Sequence, residues 1–490
     1  MQASNLVNLL QINRCDSEKL EHIDINEVVN DTRAITPGCC FVAISGGHFD
    51  GHQHVQAALD AGAALIVIEK PVEISDHSRV IMVPNTYKAL AQISTRFYGN
   101  PSSKLTTFGV TGTNGKTTIT HLISQIMEDA GQKTGIIGTM YNKIGDTKIP
   151  TINTTPDPHT VQSILSEMVT ADVNSVAMEV SSIALVQGRV WGVDFDTAIF
   201  TNLTEDHLDY HKTFENYFAA KTLLFSQLGN SFADGQWAKN AVINIDDPAG
   251  VKLLDKTAAN ILTYGTHGKG LLQAANIRVT SHGTEYDLSI DNQTYPVKLQ
   301  LMGDFNVYNS LAAFGAAYVN GIDPEQIIQS LETVKGVRGR FEVVPNDADV
   351  TAIVDYAHTP DGLQNVLETI NAFAKGKVYC VVGCGGDRDA LKRPIMAQIA
   401  TDYSTNPVFT SDNPRTEDPE MILDDMVVNL NADQYVRQID RREAINYALS
   451  QAVAGDVVLI AGKGHEDYQI IGTTKHHLDD VEIVNDFFEK

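Results

Sequence analysis

The run Phe108-Gly109-Val110-Thr111-Gly112-Thr113-Asn114-Gly115-Lys116-Thr117-Thr118 brings together what phosphate binding needs. Its glycines let backbone N–H groups approach phosphate oxygens, and a helix expected over 119–130 turns its positive end toward them. Lys116 supplies charge for the β- and γ-phosphates, and the Thr117 hydroxyl is a ligand for Mg²⁺. The general pattern GxxxxGK[ST] places glycine at position 110, where this chain has Val110; Gly109 and Gly112 bracket it instead. A glycine-rich turn without a ligand is the alternative. A strand before the run and a helix after Gly-Lys-Thr-Thr favour an ATP-binding loop.

The elements that must position such a loop are legible around it. Short β-branched runs read as strands at 40–44, 64–68, 175–180, 197–202, 241–245, 351–355, 378–382, 407–410 and 456–461, with helical patterns between them. Alternation of this kind implies an α/β fold with largely parallel sheets covered on both faces. Asn114, Glu179, His207, Asp355, Arg388, Asp412 and Lys463 all fall at or just beyond the carboxyl end of a strand, the edge where open α/β sheets bind ligands. Tyr98 to Ser103 reads as a linker, and the pattern breaks again at Lys335 to Gly339.

At 490 residues the chain exceeds what one hydrophobic core usually serves, so two or three domains are expected. A net charge of −25, from 36 basic and 61 acidic residues, opposes binding to nucleic acid or anionic membranes. No apolar run approaches the roughly 20 residues of a membrane span, and the first residues lack a signal-peptide pattern. A cytoplasmic protein is expected. Cys15, Cys39, Cys40, Cys380 and Cys384 lack paired CxxC spacing and read as packed, reduced thiols.

Gly112 to Thr118 resembles the ATP loop of the Mur ligase superfamily, which also contains folylpolyglutamate synthetases. Four further stretches narrow the resemblance to the MurE type, the tripeptide-forming UDP-N-acetylmuramoyl ligases. They are Asn153-Thr154-Thr155-Pro156; Met178-Glu179-Val180-Ser181-Ser182 with Gln187-Gly188-Arg189; Thr201-Asn202-Leu203-Thr204-Glu205-Asp206-His207-Leu208-Asp209-Tyr210-His211; and Ser411-Asp412-Asn413-Pro414-Arg415. They span the chain and occur in the family's order. The resemblance implies a three-domain α/β architecture: an N-terminal UDP-binding domain (1–100), a central P-loop ATPase domain (101–335) and a C-terminal Rossmann-like, amino-acid-binding domain (336–490). It implies an ATP-dependent amide-bond-forming ligase of peptidoglycan biosynthesis. The substrates would be UDP-MurNAc-L-Ala-D-Glu and meso-diaminopimelate, joined through an acyl phosphate. The same ligation with L-lysine is one alternative and a folylpolyglutamate synthetase is another. The latter would not be expected to carry Asp412-Asn413-Pro414-Arg415 with Gly462-Lys463-Gly464-His465-Glu466. Oligomeric state is not legible; a monomer is the default expectation.

Site residues carry over position by position. Bringing two anions together requires Mg²⁺ and cationic side chains. Thr117 with Glu179 suits one ion, and Glu179 with His207 a second. His207 alone would read as a structural histidine. Lys221, taken from its residues alone, is a helix lysine beside an apolar stripe whose amine snorkels to the surface. The resemblance instead makes it a CO₂-carbamylated metal ligand, which burial would favour by lowering its pKa. Lys116, Glu179, His207, Lys221 and His358 form the implied catalytic set. Gly112, Thr113, Asn114, Gly115, Lys116, Thr117, Thr118, Asn306, Arg340 and Asp355 are assigned to ATP. Thr32, Thr154, Thr155, Ser181, Gln187 and Arg189 are assigned to the UDP-muramoyl dipeptide. Thr32 stands where serine is common, and Ile183 where many relatives carry histidine. Arg388, Asp412, Asn413, Pro414, Arg415, Gly462 and Glu466 are assigned to the diamino acid, Arg415 gripping its distal carboxylate and Glu466 its ammonium. Without the resemblance, Asn413-Pro414 reads as a turn with Arg415 facing solvent or capping a helix, and Asp355 to His358 as a strand end feeding a helix cap.

Overall fold

The computed structural model describes residues 1–46, 49–229, 238–280 and 283–489. Three main sheets and a two-stranded ribbon carry them. The first sheet is parallel throughout, in the order Glu27–Val29, Cys39–Val42, Leu65–Ile68, Val80–Met82. Leu65-Ile66-Val67-Ile68 is buried at every position, because a parallel sheet flanked by helices has no wet face. All five cysteines are free, and all but Cys15 are buried.

The second sheet holds eleven strands among the described residues. Its middle is parallel, with Asn240–Asn244, Thr197–Phe200, Thr106–Thr111, Ser175–Glu179 and Thr134–Ile137 side by side. Both edges become antiparallel. Asn142–Ile144 pairs with Thr147–Ile149 on one side, and Leu272–Thr280, Gly283–Ile290 and Gln293–Leu299 form a meander on the other. The sheet is thus largely parallel, as expected, with antiparallel strands added at both edges. The burial of Gly283–Ile290 largely alternates, so its residues lack the continuous apolar runs that mark the parallel strands.

The third sheet runs Glu342–Val344, Thr351–Asp355, Val457–Ala461, Val378–Val382, Asn406–Phe409, Val436–Arg437. Only its first strand is antiparallel to its neighbour. Val457–Ala461 enters between Thr351–Asp355 and Val378–Val382, so the chain order is interrupted there, where such sheets open a crevice at their carboxyl ends. Between the second sheet and the third, 334–341 holds only turns and an isolated bridge from Val337 to Arg340. No helix among the described residues is long and apolar enough to cross a membrane.

Candidate active site

A cleft of about 660 Å³ is lined by residues at the carboxyl ends of both the second and third sheets. The phosphate loop forms one wall, and its departure at Val110 has a simple cause. Val110 is a buried residue inside the strand Thr106–Thr111, paired with Glu179, so the loop opens only at Gly112. Gly112 has φ 153°, and a Cβ there would lie 1.7 Å from Thr201 Oγ1. Gly109 instead serves packing, since a Cβ would meet the Phe195 ring at 2.9 Å. Thr113 donates its N–H to Asn202 O and Asn114 donates its own to Asn202 Oδ1, both at 2.9 Å. Gly115, with φ 88°, then admits the helix Lys116–Asp129. Lys116 Nζ donates to the carbonyls of Gly112 (2.9 Å) and Thr113 (2.8 Å), and Thr118 lines the same wall.

Glu179 ends the strand Ser175–Glu179 and is 1% exposed. Its Oε2 accepts from the hydroxyls of Thr117 and Thr139, each at 3.0 Å, and its Oε1 from the Thr139 N–H at 2.8 Å. Among the described residues no basic side chain pairs with it within 4 Å. His207 adopts left-handed backbone (φ 54°) and opens onto the cleft, with Asp206 Oδ2 3.4 Å from its Nε2. Desolvation lowers its pKa against the pull of Asp206, which keeps a neutral imidazole available as a ligand.

Lys221 does not snorkel. The helix Phe214–Ser226 turns it inward beside Tyr217, Ala220 and Leu224, and it is 1% exposed. Its Nζ donates to Gly112 O at 2.7 Å and lies 4.6 Å from the Tyr217 ring centre. Burial, then the neighbouring Lys116 charge, pull its pKa well below the ordinary lysine value. Lys116 and Lys221 therefore share one backbone carbonyl.

These donors fit Mg²⁺. A buried carboxylate with no basic ion-pair partner, flanked by two hydroxyls beside a phosphate loop, is a hard oxygen set. Among the described residues no cluster of three His, Cys, Asp or Glu forms a ready-made cage. Mg²⁺ usually relies on one or two carboxylates plus substrate phosphates, so none is required.

Thr154, Thr155, Ser181, Gln187 and Arg189 form one connected patch beside Glu179. Thr155 Oγ1 donates to Glu179 O (2.8 Å) and accepts the Ser181 N–H (3.1 Å). Arg189 donates to Thr155 O and Gln187 Oε1, both at 2.9 Å. Tyr87, on the helix Thr86–Phe97 of the first sheet, borders Arg189, and burial pushes its hydroxyl up to about 12. Thr32 stands apart from the cleft, in a 3₁₀ turn capped by Asp31.

From the turn leading into the third sheet, Arg340 Nη2 reaches Thr117 Oγ1 at 3.0 Å, with the guanidinium 4.3 Å from the Tyr356 ring centre. Asp355 accepts the N–H groups of Phe341 (2.6 Å) and Ala357 (2.7 Å), while Thr359 caps the following helix. Asp355 to His358 is thus a strand end feeding a helix cap, as its residues alone suggest, with Thr359 as the cap. His358 Nδ1 bonds Tyr356 O at 2.8 Å, and desolvation by the cleft walls pushes its pKa down to about 4. Asn306 is buried behind the wall, bonded to Met302 O and Asn309; Asn309 lines the cleft in its place.

The diamino-acid residues lie along the same carboxyl edge of the third sheet, beside Asp355, whose carbonyl accepts the Gly462 N–H at 3.0 Å. Gly383 and Gly386 admit the loop 410–415, since added Cβ atoms would lie 2.3 Å from Thr410 O and 1.9 Å from Pro414 O. Arg415 has φ 52° and is half-buried, donating from Nη1 to Gly386 O at 2.8 Å. It neither caps a helix nor stands free in solvent. Asn413 donates to Glu466 Oε2 (2.8 Å) and accepts from the buried Lys463 (3.1 Å), which also pairs with Glu466 at 3.2 Å. A Cβ on Gly462 would crowd Asp412 Oδ2 at 2.8 Å, and Pro414 is buried, but Arg388 is exposed and donates to its neighbour Asp387 O at 3.0 Å.

Family comparison matches residues 24–98 to the Mur ligase family catalytic domain, 110–317 to the Mur ligase middle domain and 339–464 to the Mur ligase glutamate ligase domain. The chain is 56% identical to the UDP-N-acetylmuramoyl-L-alanyl-D-glutamate--2,6-diaminopimelate ligase of Lactiplantibacillus plantarum, over 98% of this chain and 97% of that one. The chain belongs to the Mur ligase family. A solved structure of a ligase of the same description superimposes on this Mur ligase with TM-score 0.72 and 33% identity, covering 100% and 99% of the two chains. The MurF ligase of Thermotoga maritima in complex with ADP shares the three-domain fold at 20% identity (TM-score 0.66, covering 94% and 97%).

Three residues of this Mur ligase's site, Thr139, Asn309 and Asp361, belong to no motif in the sequence. Thr139 lies in a loop outside every quoted motif, and only folding sets it on Glu179. Asp361 looks like an ordinary first-turn helix acid, yet its Oδ2 accepts from Asn114 (2.8 Å), Thr204 (3.2 Å) and Asn365 (3.1 Å).

Proposed function

We propose that this Mur ligase adds meso-diaminopimelate to UDP-N-acetylmuramoyl-L-alanyl-D-glutamate at the expense of ATP, within peptidoglycan synthesis. Relatives at 49–56% identity carry that description over nearly their full lengths. The observation that carries the chemistry is the convergence of Lys116, Lys221 and Glu179 on the phosphate loop, across the cleft from Arg340 and His358.

The D-glutamate carboxylate attacks the γ-phosphorus of ATP, the bond to the β-phosphate oxygen breaks, and ADP leaves an acyl phosphate. The amine of diaminopimelate then attacks the acyl carbon, loses a proton, and phosphate departs. Lys116 and Arg340 offset the charge developing on the transferred phosphoryl group. Bound Mg²⁺, held by Thr117, Glu179 and His207, would add charge neutralisation. Lys221, whose pKa burial and then the Lys116 charge pull well below the ordinary lysine value, would react with CO₂ through its free amine to give the carbamate that joins this set. His358, held neutral, orients the reacting groups. Thr32, Thr154, Thr155, Ser181, Gln187 and Arg189 receive the UDP-muramoyl peptide.

Arg415 selects the amino acid. Diaminopimelate carries a distal carboxylate that lysine lacks, and a guanidinium fork holds such a group bidentately. Glu466 takes the distal ammonium. We place the domain boundaries near residues 100 and 335, and a monomer in the cytoplasm, where ATP and reduced thiols are kept. The deciding experiment measures ADP release with each pair of acceptors. Turnover should require the muramoyl dipeptide and diaminopimelate together. Turnover with a folate and glutamate instead would refute the reading, and equal rates with L-lysine would refute the role of Arg415 alone.

A further inference from the structure

Thr139 is bonded to both oxygens of the Glu179 carboxylate, through its N–H at 2.8 Å and its hydroxyl at 3.0 Å. Gly138 makes this approach possible, because a Cβ there would lie 2.4 Å from Glu179 Oε1. The Thr139 hydroxyl also lies 3.1 Å from Thr154 Oγ1. A threonine hydroxyl has one proton. Thr139 gives its proton to the carboxylate, so Thr154 must donate to Thr139. On the other side, Thr117 gives its proton to Glu179 Oε2 and accepts from Arg340 Nη2, both at 3.0 Å. A polarised chain thus runs from the loop carrying Thr154, through Thr139, Glu179 and Thr117, to Arg340 in the turn that leads into the third sheet. Its donors point at the carboxylate from both ends.

We infer that Thr139 is a positioning residue: it fixes the Glu179 carboxylate for a divalent cation and couples that cation to the peptide-binding loop through Thr154. The inference rests on the ligase reading above. Two donors from one residue lock the carboxylate plane, and a carboxylate offers about four lone-pair sites, so one stays available beside the three protein donors. With its proton committed to Thr139, Thr154 presents only lone pairs to a bound ligand. It therefore suits an amide or hydroxyl donor of the muramoyl peptide. Engaging that donor polarises the chain and strengthens the hold on Glu179.

Groups that orient a metal-binding carboxylate typically affect metal affinity by about 10–100-fold when removed. The probe is Mn²⁺ binding followed by electron paramagnetic resonance, with a non-hydrolysable ATP analogue and the whole protein. Thr139→Val keeps the size and the N–H but lacks the hydroxyl; it should weaken Mn²⁺ about tenfold and raise KM for the UDP-muramoyl dipeptide. Thr139→Ser should restore both. Thr154→Val, one link farther out, should weaken Mn²⁺ less, and the double valine variant should be no worse than Thr139→Val. Unchanged Mn²⁺ binding in Thr139→Val, or equal damage in the valine and serine variants, would overturn the inference and leave the ligase reading standing. Wild-type protein that binds no Mn²⁺ with the nucleotide would overturn both.

Discussion

Lys221 shows how much a single buried amine can be made to carry. In the unfolded chain it is protonated at neutral pH; in the folded chain burial opposes that charge and Lys116 repels it. The unfolded state then binds more protons, which destabilises the fold. This penalty is full below the folded pKa and fades as pH rises from there toward the ordinary lysine value. Lys221→Met should therefore melt at higher temperature than wild type in CO₂-free buffer at neutral pH, with the gap narrowing as pH climbs. The same variant should have lost turnover. Coincident melting curves across the range would show that the amine costs the fold nothing. Bicarbonate should raise the wild-type melting temperature and leave the methionine variant unmoved.

At the scale of elements, the phosphate loop and the loop 410–415 are both turns forced open by glycines packed against neighbouring backbone or side chains. Lys116 follows the first such turn and is aimed at the loop by the helix it opens. Removing a fixed donor for developing charge costs about 100-fold or more in rate, which is the loss expected in kcat for a folded Lys116→Ala protein. Near-normal turnover would break the assignment of the loop. Arg415 depends on the second turn. Lysine in the site would leave its guanidinium without the carboxylate, and hydrogen bonds to charged groups contribute about 1.5–3 kcal/mol. Arg415→Ala should lower kcat/KM for diaminopimelate by at least about tenfold and shrink its advantage over L-lysine, measured as a ratio of the two kcat/KM values. Gly112 and Gly386 were visible as glycines in the sequence. That one must clear Thr201 and the other Pro414 O was not, because each partner comes from a different strand.

At the scale of the molecule, two polar links tie the second sheet's loop to the third sheet: Arg340 to Thr117, and Asp361 to Asn114 and Thr204. Burial raises the Asp361 pKa while these donors oppose the shift. Asp361→Ala removes two hydrogen bonds across to the nucleotide loop side, from Asn114 and Thr204, and one within its own helix, from Asn365. It should raise KM for ATP about tenfold and enlarge the radius of gyration in small-angle scattering. An unchanged scattering curve with normal KM would show that other contacts hold the two halves together.

The sequence by itself determined the local chemistry and the parallel strands. Gly112 to Thr118 announces a phosphate loop because its residue types and spacing are the mechanism, and continuous apolar runs such as Val378 to Val382 can pack only inside a covered sheet. It determined much less about the meander at 272–299, whose exposed face interrupts the apolar signal. Only the tertiary structure decided that Lys221 points inward, that Thr139 braces Glu179, that Asn309 rather than Asn306 faces the cleft, and that Asp361 spans two sheets. The reason is common to all four. Each depends on which surface an element presents to a partner distant in the chain, and no run of neighbouring residues encodes that partner.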